Sequence, residues 1–338
     1  MGNLIVSTLV DHRPDFLPLQ KRSFDRFIAV THKFLPLVNS FSLSRTRVNF
    51  AAINELGLEA IKVKRDPAIE IKNRRPSFGL RGYLDPAMAC AFGMQWFWSK
   101  VLPRLTNDLL LFIDSDMFLI SEFDPEKILS DKSFAFIPQF RGDIIYPYAG
   151  VFLARLQDTS YEKFSWFPGR IDGKNTDVGG RAHVWCRQNI ENENVRELIM
   201  LSIRSASRNG NCLRIESQIN GNFNFIIEYN LDSGMSSVVS HDNTEDISGF
   251  WQSESPLIEL ASIASEVARL FLSAQDFDWP SPHYFDFIGV RENKSFQPFI
   301  FHYKSGSNYQ PWSTANYNLS KTEALISFAF GSNQAKSS

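Results

Sequence analysis

Leu109-Leu110-Leu111-Phe112-Ile113-Asp114-Ser115-Asp116-Met117-Phe118-Leu119-Ile120 sets two carboxylates inside an otherwise apolar run. A run of this composition reads as a buried core strand, with the acidic pair at the point where the strand ends. Residues two apart on a strand share a face, so Asp114 and Asp116 are expected to converge on one cation while Ser115 points away. Two like charges among apolar neighbours are costly unless a positive charge lies between them.

Three arrangements answer that demand. The first is a strand-end turn whose carboxylates bond backbone amides or pair with Arg, although the apolar flanks offer little solvation for it. The second is the strand-end DxD of haloacid dehalogenase-type phosphotransferases, with a nucleophilic first Asp and an acidic second Asp. That pattern expects Thr or Val two residues after the second Asp and a place near the N-terminus; here Phe118 follows, and more than a hundred residues precede. The third is a divalent-metal site that grips a nucleotide diphosphate.

The chain of 338 residues has room for one large or two ordinary domains with a real apolar core. Its net charge of -2 gives no polybasic surface for nucleic acid, so none is expected as a partner. The 30 Phe residues are spread along the chain, which points to aromatic core packing rather than a local stacking array. The apolar stretches are interrupted short of about 18 residues, so no transmembrane segment is expected. Met1-Gly2-Asn3-Leu4-Ile5-Val6 enters a strand directly and lacks the basic start and cleavage site of a signal peptide. Cys90, Cys186 and Cys212 are odd in number, widely spaced and without a zinc pattern. A reducing, cytoplasmic location follows as the expectation.

Leu4 to Val10 reads as a first strand, and a helix is expected from about Leu17 to Phe34. Ligands of such α/β units bind beyond the carboxyl ends of the strands, which puts Thr8, Leu9 and Val10 beside any nucleotide. Residues 46 to 64 read as a strand, a helix or turn, and a strand at Ala60 to Val63. A basic loop ends at Arg81, and Asp85-Pro86 opens a helix to about Leu102, with Trp96 and Trp98 as core residues. Downstream are expected a short helix near Asp124 to Leu129, a strand at Phe134 to Ile137, and a second apolar strand opened by Gly150. Further on come a helix around Asn194 to Ser205, strands near 213 and at 223 to 229, and a helix from Pro256 to Ala274.

The order of these parts resembles the GT-A glycosyltransferases, nucleotide-sugar-dependent enzymes with a Rossmann-like sheet and a DxD motif. The resemblance rests on the βα start, the small-residue helix before Asp114-Ser115-Asp116, Ala149-Gly150, and the late His302, Gly306 and Pro311-Trp312. It covers residues 3 to 155 and the tail from 298 to 312. It implies a mixed central sheet flanked by helices: a nucleotide-sugar-binding half over 1-155, an acceptor-binding half over 156-330, and a frayed end at 331-338. It further implies that Asp114 and Asp116 hold Mn²⁺ or Mg²⁺ against the diphosphate, with Ser115 near the ribose. A hard cation prefers such oxygen ligands and keeps open positions for phosphate.

Phe301 to Trp312 resembles the HxxGxxKPW element of glycogenin-like glycosyltransferases, in which the His is the third metal ligand. One extra residue stands on each side of Gly306, and Gln310 occupies the place of the Lys. The resemblance makes His302 a metal ligand and leaves Lys304 as the substitute phosphate contact. Arg81 is the candidate cation for the diphosphate, since a guanidinium holds phosphate oxygens in a bidentate way. Asp177, in Asp177-Val178-Gly179-Gly180, either caps the next helix or serves as general base on an acceptor hydroxyl, with Gly179 and Gly180 admitting the substrate. Asp276, Asp278, His283 and Asp286 near Trp279 line a sugar site or form turn structure. The activity implied is transfer from a nucleoside diphosphate sugar, a UDP-sugar first, to a glycan, lipid or protein hydroxyl. A haloacid dehalogenase-type phosphatase and a non-catalytic nucleotide-sugar-binding module are the alternatives.

Overall fold

The computed structural model describes residues 3–64, 86–242, 285–292 and 295–302, apart from positions 12, 13, 41, 107, 160–162 and 222, together with residue 263. It is a mixed α/β protein whose chain divides into two compact units, Met1–Ser115 with Glu122–Glu197 and Asp116–Ser121 with Leu198–Ser338. In chain order the strands begin β1 (Leu4–Val10), β2 (His32–Val38), β3 (Ile61–Lys62), β4 (Leu109–Ile113) and β5 (Met117–Leu119). They continue β6 (Phe134–Arg141), β7 (Ile144–Arg155), β8 (Arg170–Ile171), β9 (Lys174–Asn175) and β10 (Val195–Glu197). The last are β11 (Ile199–Asn209), β12 (Cys212–Ile219), β13 (Phe223–Asn230), β14 (Ser236–His241), β15 (Phe285–Glu292) and β16 (Ser295–His302).

The first unit holds a seven-stranded sheet in the order β10-β6-β7-β4-β1-β2-β3. Strands β4, β1, β2 and β3 run parallel, whereas β7 is antiparallel to both β4 and β6. Strands β1 and β4 are buried along their whole length, β1 between the parallel strands β4 and β2, and β4 between β1 and the antiparallel β7. Helix Pro86–Trp96 continues as a π-helical turn over Phe97–Val101 and a 3-10 turn over Leu102–Arg104. This segment brings Trp96 and Trp98 into the core, as expected. Trp98 meets Phe152 and Trp166 edge-on, with ring centroids 5.6 and 5.8 Å apart, and Phe152 stacks on Phe136 at 5.7 Å. Edge-on and offset pairs suit the quadrupoles of these rings.

Three sequence expectations fail in this unit. The helix that starts at Leu17 ends at Phe27 rather than near Phe34, and the chain then forms β2. Strand β2 accommodates Pro36 because β3 pairs only with Leu37 and Val38, so no partner on that side asks for the missing N–H. Residues Leu43–Glu55 are helical where a strand was expected from residue 46. The acidic run is also not one strand: β4 ends at Ile113, a turn spans Ser115 and Asp116, and β5 belongs to a different sheet. Alternation along a strand therefore does not orient the two carboxylates. Residue 155, where the sequence reading divides the chain, is the last residue of β7, and the unit continues to Glu197 because β10 adds to β6.

The second unit holds a seven-stranded sheet in the order β14-β13-β12-β11-β15-β16-β5, with every neighbouring pair antiparallel. Val195 to Asn209 is extended where a helix was expected around Asn194 to Ser205; β11 has strand partners on both sides, and this pairing overrides local preference. The expected helix over 256 to 274 lies outside the described residues, apart from Ile263. Among the described residues no helix is long and apolar enough to cross a membrane.

Candidate functional site

The register of the second sheet assembles a polar row in an apolar setting. Ser202 of β11 lies opposite Asp286 of β15, Asp286 lies opposite His302 of β16, and His302 lies opposite Met117 of β5, the residue after Asp116. Directly opposed residues of antiparallel strands share a face, so the register alone brings these side chains together. Ser202 Oγ donates to Asp286 Oδ1 at 2.6 Å, and His302 Nδ1 donates to Asp286 Oδ2 at 2.8 Å. The other ring nitrogen, His302 Nε2, stands 3.5 Å from Asp116 Oδ1. Asp286 is fully buried, Ser202 and His302 nearly so, and Asp116 is 8 % exposed.

This setting governs the charge of the imidazole. Burial alone pushes the His302 pKa down, but the charge and hydrogen bonding of Asp116, then those of Asp286, outweigh it and raise the pKa to about 10. Without a metal, His302 is therefore an imidazolium between two carboxylates at neutral pH. With a metal, the same geometry offers a ligand set. Asp286 accepts a hydrogen bond from Nδ1–H and so keeps the proton of a neutral ring on Nδ1, which puts the lone pair on Nε2, on the side of Asp116. A carboxylate oxygen with an imidazole nitrogen suits Mn²⁺ and, less well, Mg²⁺. Among the described residues no group of three or more His, Cys, Asp or Glu side chains is arranged to hold a metal ion. Asp116 and His302 are two groups that could serve as ligands to a cation whose remaining oxygens come from a substrate.

In the first unit, polar groups gather at the carboxyl end of β1. Asn49 Nδ2 donates to the carbonyls of Val10 and Asp11 and to Ser40 Oγ, and Asn39 N donates to the Val10 carbonyl at 3.0 Å. Thr8 Oγ1 is buried and has no hydrogen-bond partner among the described residues. The side chains of Leu9 and Val10 are packed in protein. Gly93 of the helix Pro86–Trp96 lies so close to this strand that a methyl group there would come within 2.9 Å of both Leu9 and Asn39.

The backbone of Asp114 is fixed on both sides. Its N–H donates to the Gly150 carbonyl at 2.8 Å, and its carbonyl accepts from Gln20 Nε2 at 2.7 Å. Gly150 lies within the continuous strand β7 rather than at the start of a strand, and it meets the acidic turn through this bond. Asp177 is exposed, and its Oδ1 accepts from the adjacent Val178 N–H at 2.8 Å, so it shapes its own loop instead of capping the following helix. The Cys90 thiol links the two acids electrostatically: burial, then the charge of Asp114, then that of Asp177, push its pKa up. Gly179 and Gly180 do not leave open space. A methyl group would meet the Pro147 carbonyl at 2.6 Å at Gly179, and Thr176 at Gly180. Gly179 also has φ +91°, so its role is a tight turn against protein backbone rather than substrate access.

Ser115 is half-buried in the acidic turn. Arg81 and Lys304 lie outside the described residues, as do Asp276, Asp278, His283, Gly306 and Pro311-Trp312. Asp286, grouped by sequence with the acids around Trp279, belongs instead with His302. Ser202, Gln20, Asn39 and Asn49 carry no sequence signal of their own. Their roles come from strand register and helix packing.

No protein-family model matches the chain, and no curated protein sequence matches it. Among solved structures it is similar to a crystal structure of an active-site mutant of LgtC, with 13% identity over 47% of this chain and 61% of that chain, and a TM-score of 0.33. It is also similar to the galactosyltransferase LgtC in complex with donor and acceptor sugar analogs, with 12% identity over 47% of this chain and 62% of that chain, and a TM-score of 0.32. The chain matches about three fifths of the length of these two structures.

Proposed function

We propose that this protein is a metal-dependent glycosyltransferase that moves a sugar from a nucleoside diphosphate, a UDP-sugar first, to a hydroxyl of a glycan, lipid or protein. The observation that carries the reading is the Asp116–His302 pair, in which Asp286 behind the ring leaves Nε2 on the Asp116 side. A ring nitrogen turned toward a carboxylate in this way could serve, with that carboxylate, a cation shared with a diphosphate. Asp114, two residues earlier in the chain, is the further ligand proposed from the DxD. Bound there, Mn²⁺ or Mg²⁺ would neutralise the diphosphate as it leaves.

The remaining roles belong to the chain's own side chains. Arg81 and Lys304 are proposed to hold phosphate oxygens, and Ser115 the ribose. The buried Thr8 hydroxyl, which has no hydrogen-bond partner among the described residues, and the polar end of β1 support a nucleotide beside that strand, where ligands of open α/β sheets bind. As the bond from the anomeric carbon to the phosphate oxygen breaks, the acceptor oxygen bonds to that carbon and gives up its proton. Asp177 is the proposed base; one of its oxygens is held by Val178 N–H, and the carboxylate is exposed.

The test is Asp116→Asn, which keeps the shape and removes the charge. Calorimetric titration with UDP in Mn²⁺ should show at least tenfold weaker binding than wild type, with unchanged binding in EDTA. Equal Mn²⁺-dependent binding by both proteins would remove the reading.

A further inference from the structure

We infer that Asp286, held by Ser202, is a positioning residue that keeps His302 in the tautomer and rotamer in which Nε2 serves a divalent cation; this rests on the proposed metal-dependent reading. The three side chains come from adjacent strands in strict register, and the carboxylate uses a different oxygen for each neighbour: Oδ1 for Ser202 at 2.6 Å, Oδ2 for His302 at 2.8 Å. A fully buried carboxylate is among the most expensive side chains a sheet can contain, and it persists where its bonds return that cost. A neutral imidazole carries one proton. A carboxylate at Nδ1 compels the proton to that atom, which makes Nε2 the unprotonated ring nitrogen and increases its basicity. Ser202 in turn restrains rotation of the Asp286 carboxylate, and with it the ring plane. Asp286 stands on the far side of the ring from Asp116, so it acts on the cation through His302 and not as a ligand.

Two variants separate positioning from folding. Asp286→Asn preserves shape and can still accept from Nδ1, but loses the charge and permits the opposite tautomer. Ser202→Ala leaves the carboxylate in place and frees only its rotation. Mn²⁺ affinity, measured with UDP present by the electron paramagnetic resonance signal of free Mn²⁺, should weaken about tenfold to a hundredfold in Asp286→Asn. In Ser202→Ala it should weaken less than tenfold. Pulsed resonance of the bound ion should show a directly coordinated imidazole nitrogen in wild type, absent in His302→Ala and reduced in Asp286→Asn; a merely structural role would not move that coupling. If Asp286→Asn and Ser202→Ala keep wild-type affinity and nitrogen coupling while His302→Ala loses both, Asp286 does not position the ligand, and the metal reading stands. If wild-type protein itself shows no nitrogen coupling, the metal reading fails and the inference with it.

Discussion

Replacing Ser202 by Ala should destabilise the metal-free protein far more than the same change at Ser217, although the two serines are equally buried. Both are 2 % exposed, and Ile203, next to Ser202, is the strand partner of Ser217. Their hydroxyls differ in one respect. Ser202 Oγ donates to the Asp286 carboxylate at 2.6 Å, whereas Ser217 Oγ is buried without a hydrogen-bond partner among the described residues. A hydrogen bond to a charged group contributes about 1.5–3 kcal/mol net, and its loss leaves an oxygen of a buried carboxylate short of a donor. Removing an unpartnered buried hydroxyl relieves a desolvation cost, so Ser217→Ala should lie within about 0.5 kcal/mol of wild type or above it in stability. Urea unfolding in EDTA, followed by far-ultraviolet circular dichroism, measures both. A separation below about 0.5 kcal/mol would refute the claim that the Ser202–Asp286 bond holds the row together.

Three other outcomes follow from the same physical chemistry. His302 has its pKa raised to about 10 in the folded protein, so its stabilising contribution is complete below the unfolded value near 6.5 and is lost as pH rises through about 10. Between pH 7 and 7.5, where unfolded thiols are still about nine-tenths protonated, the metal-free protein should lose unfolding free energy at about 1 kcal/mol per pH unit, readable by urea titration at each pH. Gly179→Ala should cost about 1–3 kcal/mol for its φ of +91° and more for the approach to the Pro147 carbonyl, whereas Gly173→Ala, with φ +79° and open space, should cost the backbone part alone. Thermal melts of the pair show the difference, and equal melts would contradict the packing at Gly179. Asp177→Asn should lower the Cys90 pKa and speed its alkylation by iodoacetamide at pH 8.5, because it removes a charge that opposes the thiolate.

The parts of the fold legible in the sequence were those where local pattern and tertiary setting agree. Leu4 to Val10 is apolar apart from Ser7 and Thr8 and forms a strand with those bounds. Trp96 and Trp98 precede a buried strand and pack in its core, and Asp124 stands where the helix Pro125–Leu129 needs its cap, accepting from Glu126 N–H. Where partners decide, the reading failed. His32 to Val38 continues the apolar content of the preceding helix and contains Pro36, yet pairing with β1 makes it a strand. Ile199 to Asn209 mixes Ser and Arg with apolar residues at no clear period, and two neighbouring strands settle it.

The same contrast holds at the site. Asp114, Asp116 and His302 are visible by residue type and order, but the strand alternation expected to put Asp114 and Asp116 on one face does not apply, since β4 ends at Ile113 and β5 belongs to another sheet. Asp286 and Ser202 could be found only through register, because they lie 84 residues apart in sequence and meet across neighbouring strands.

The central claim, that Asp116 and His302 hold a cation for a nucleoside diphosphate, is tested most directly by thermal shift of the wild-type protein with UDP, GDP and ADP, each with and without Mn²⁺. A ligand that binds the native state at a hundred times its Kd adds about 2.7 kcal/mol of stability, which a melting curve resolves readily. The account predicts a raised melting temperature for at least one diphosphate in Mn²⁺, UDP first, and no rise for the same nucleotide in EDTA. Melting temperatures that no diphosphate moves in Mn²⁺, or that shift equally in EDTA, would contradict it.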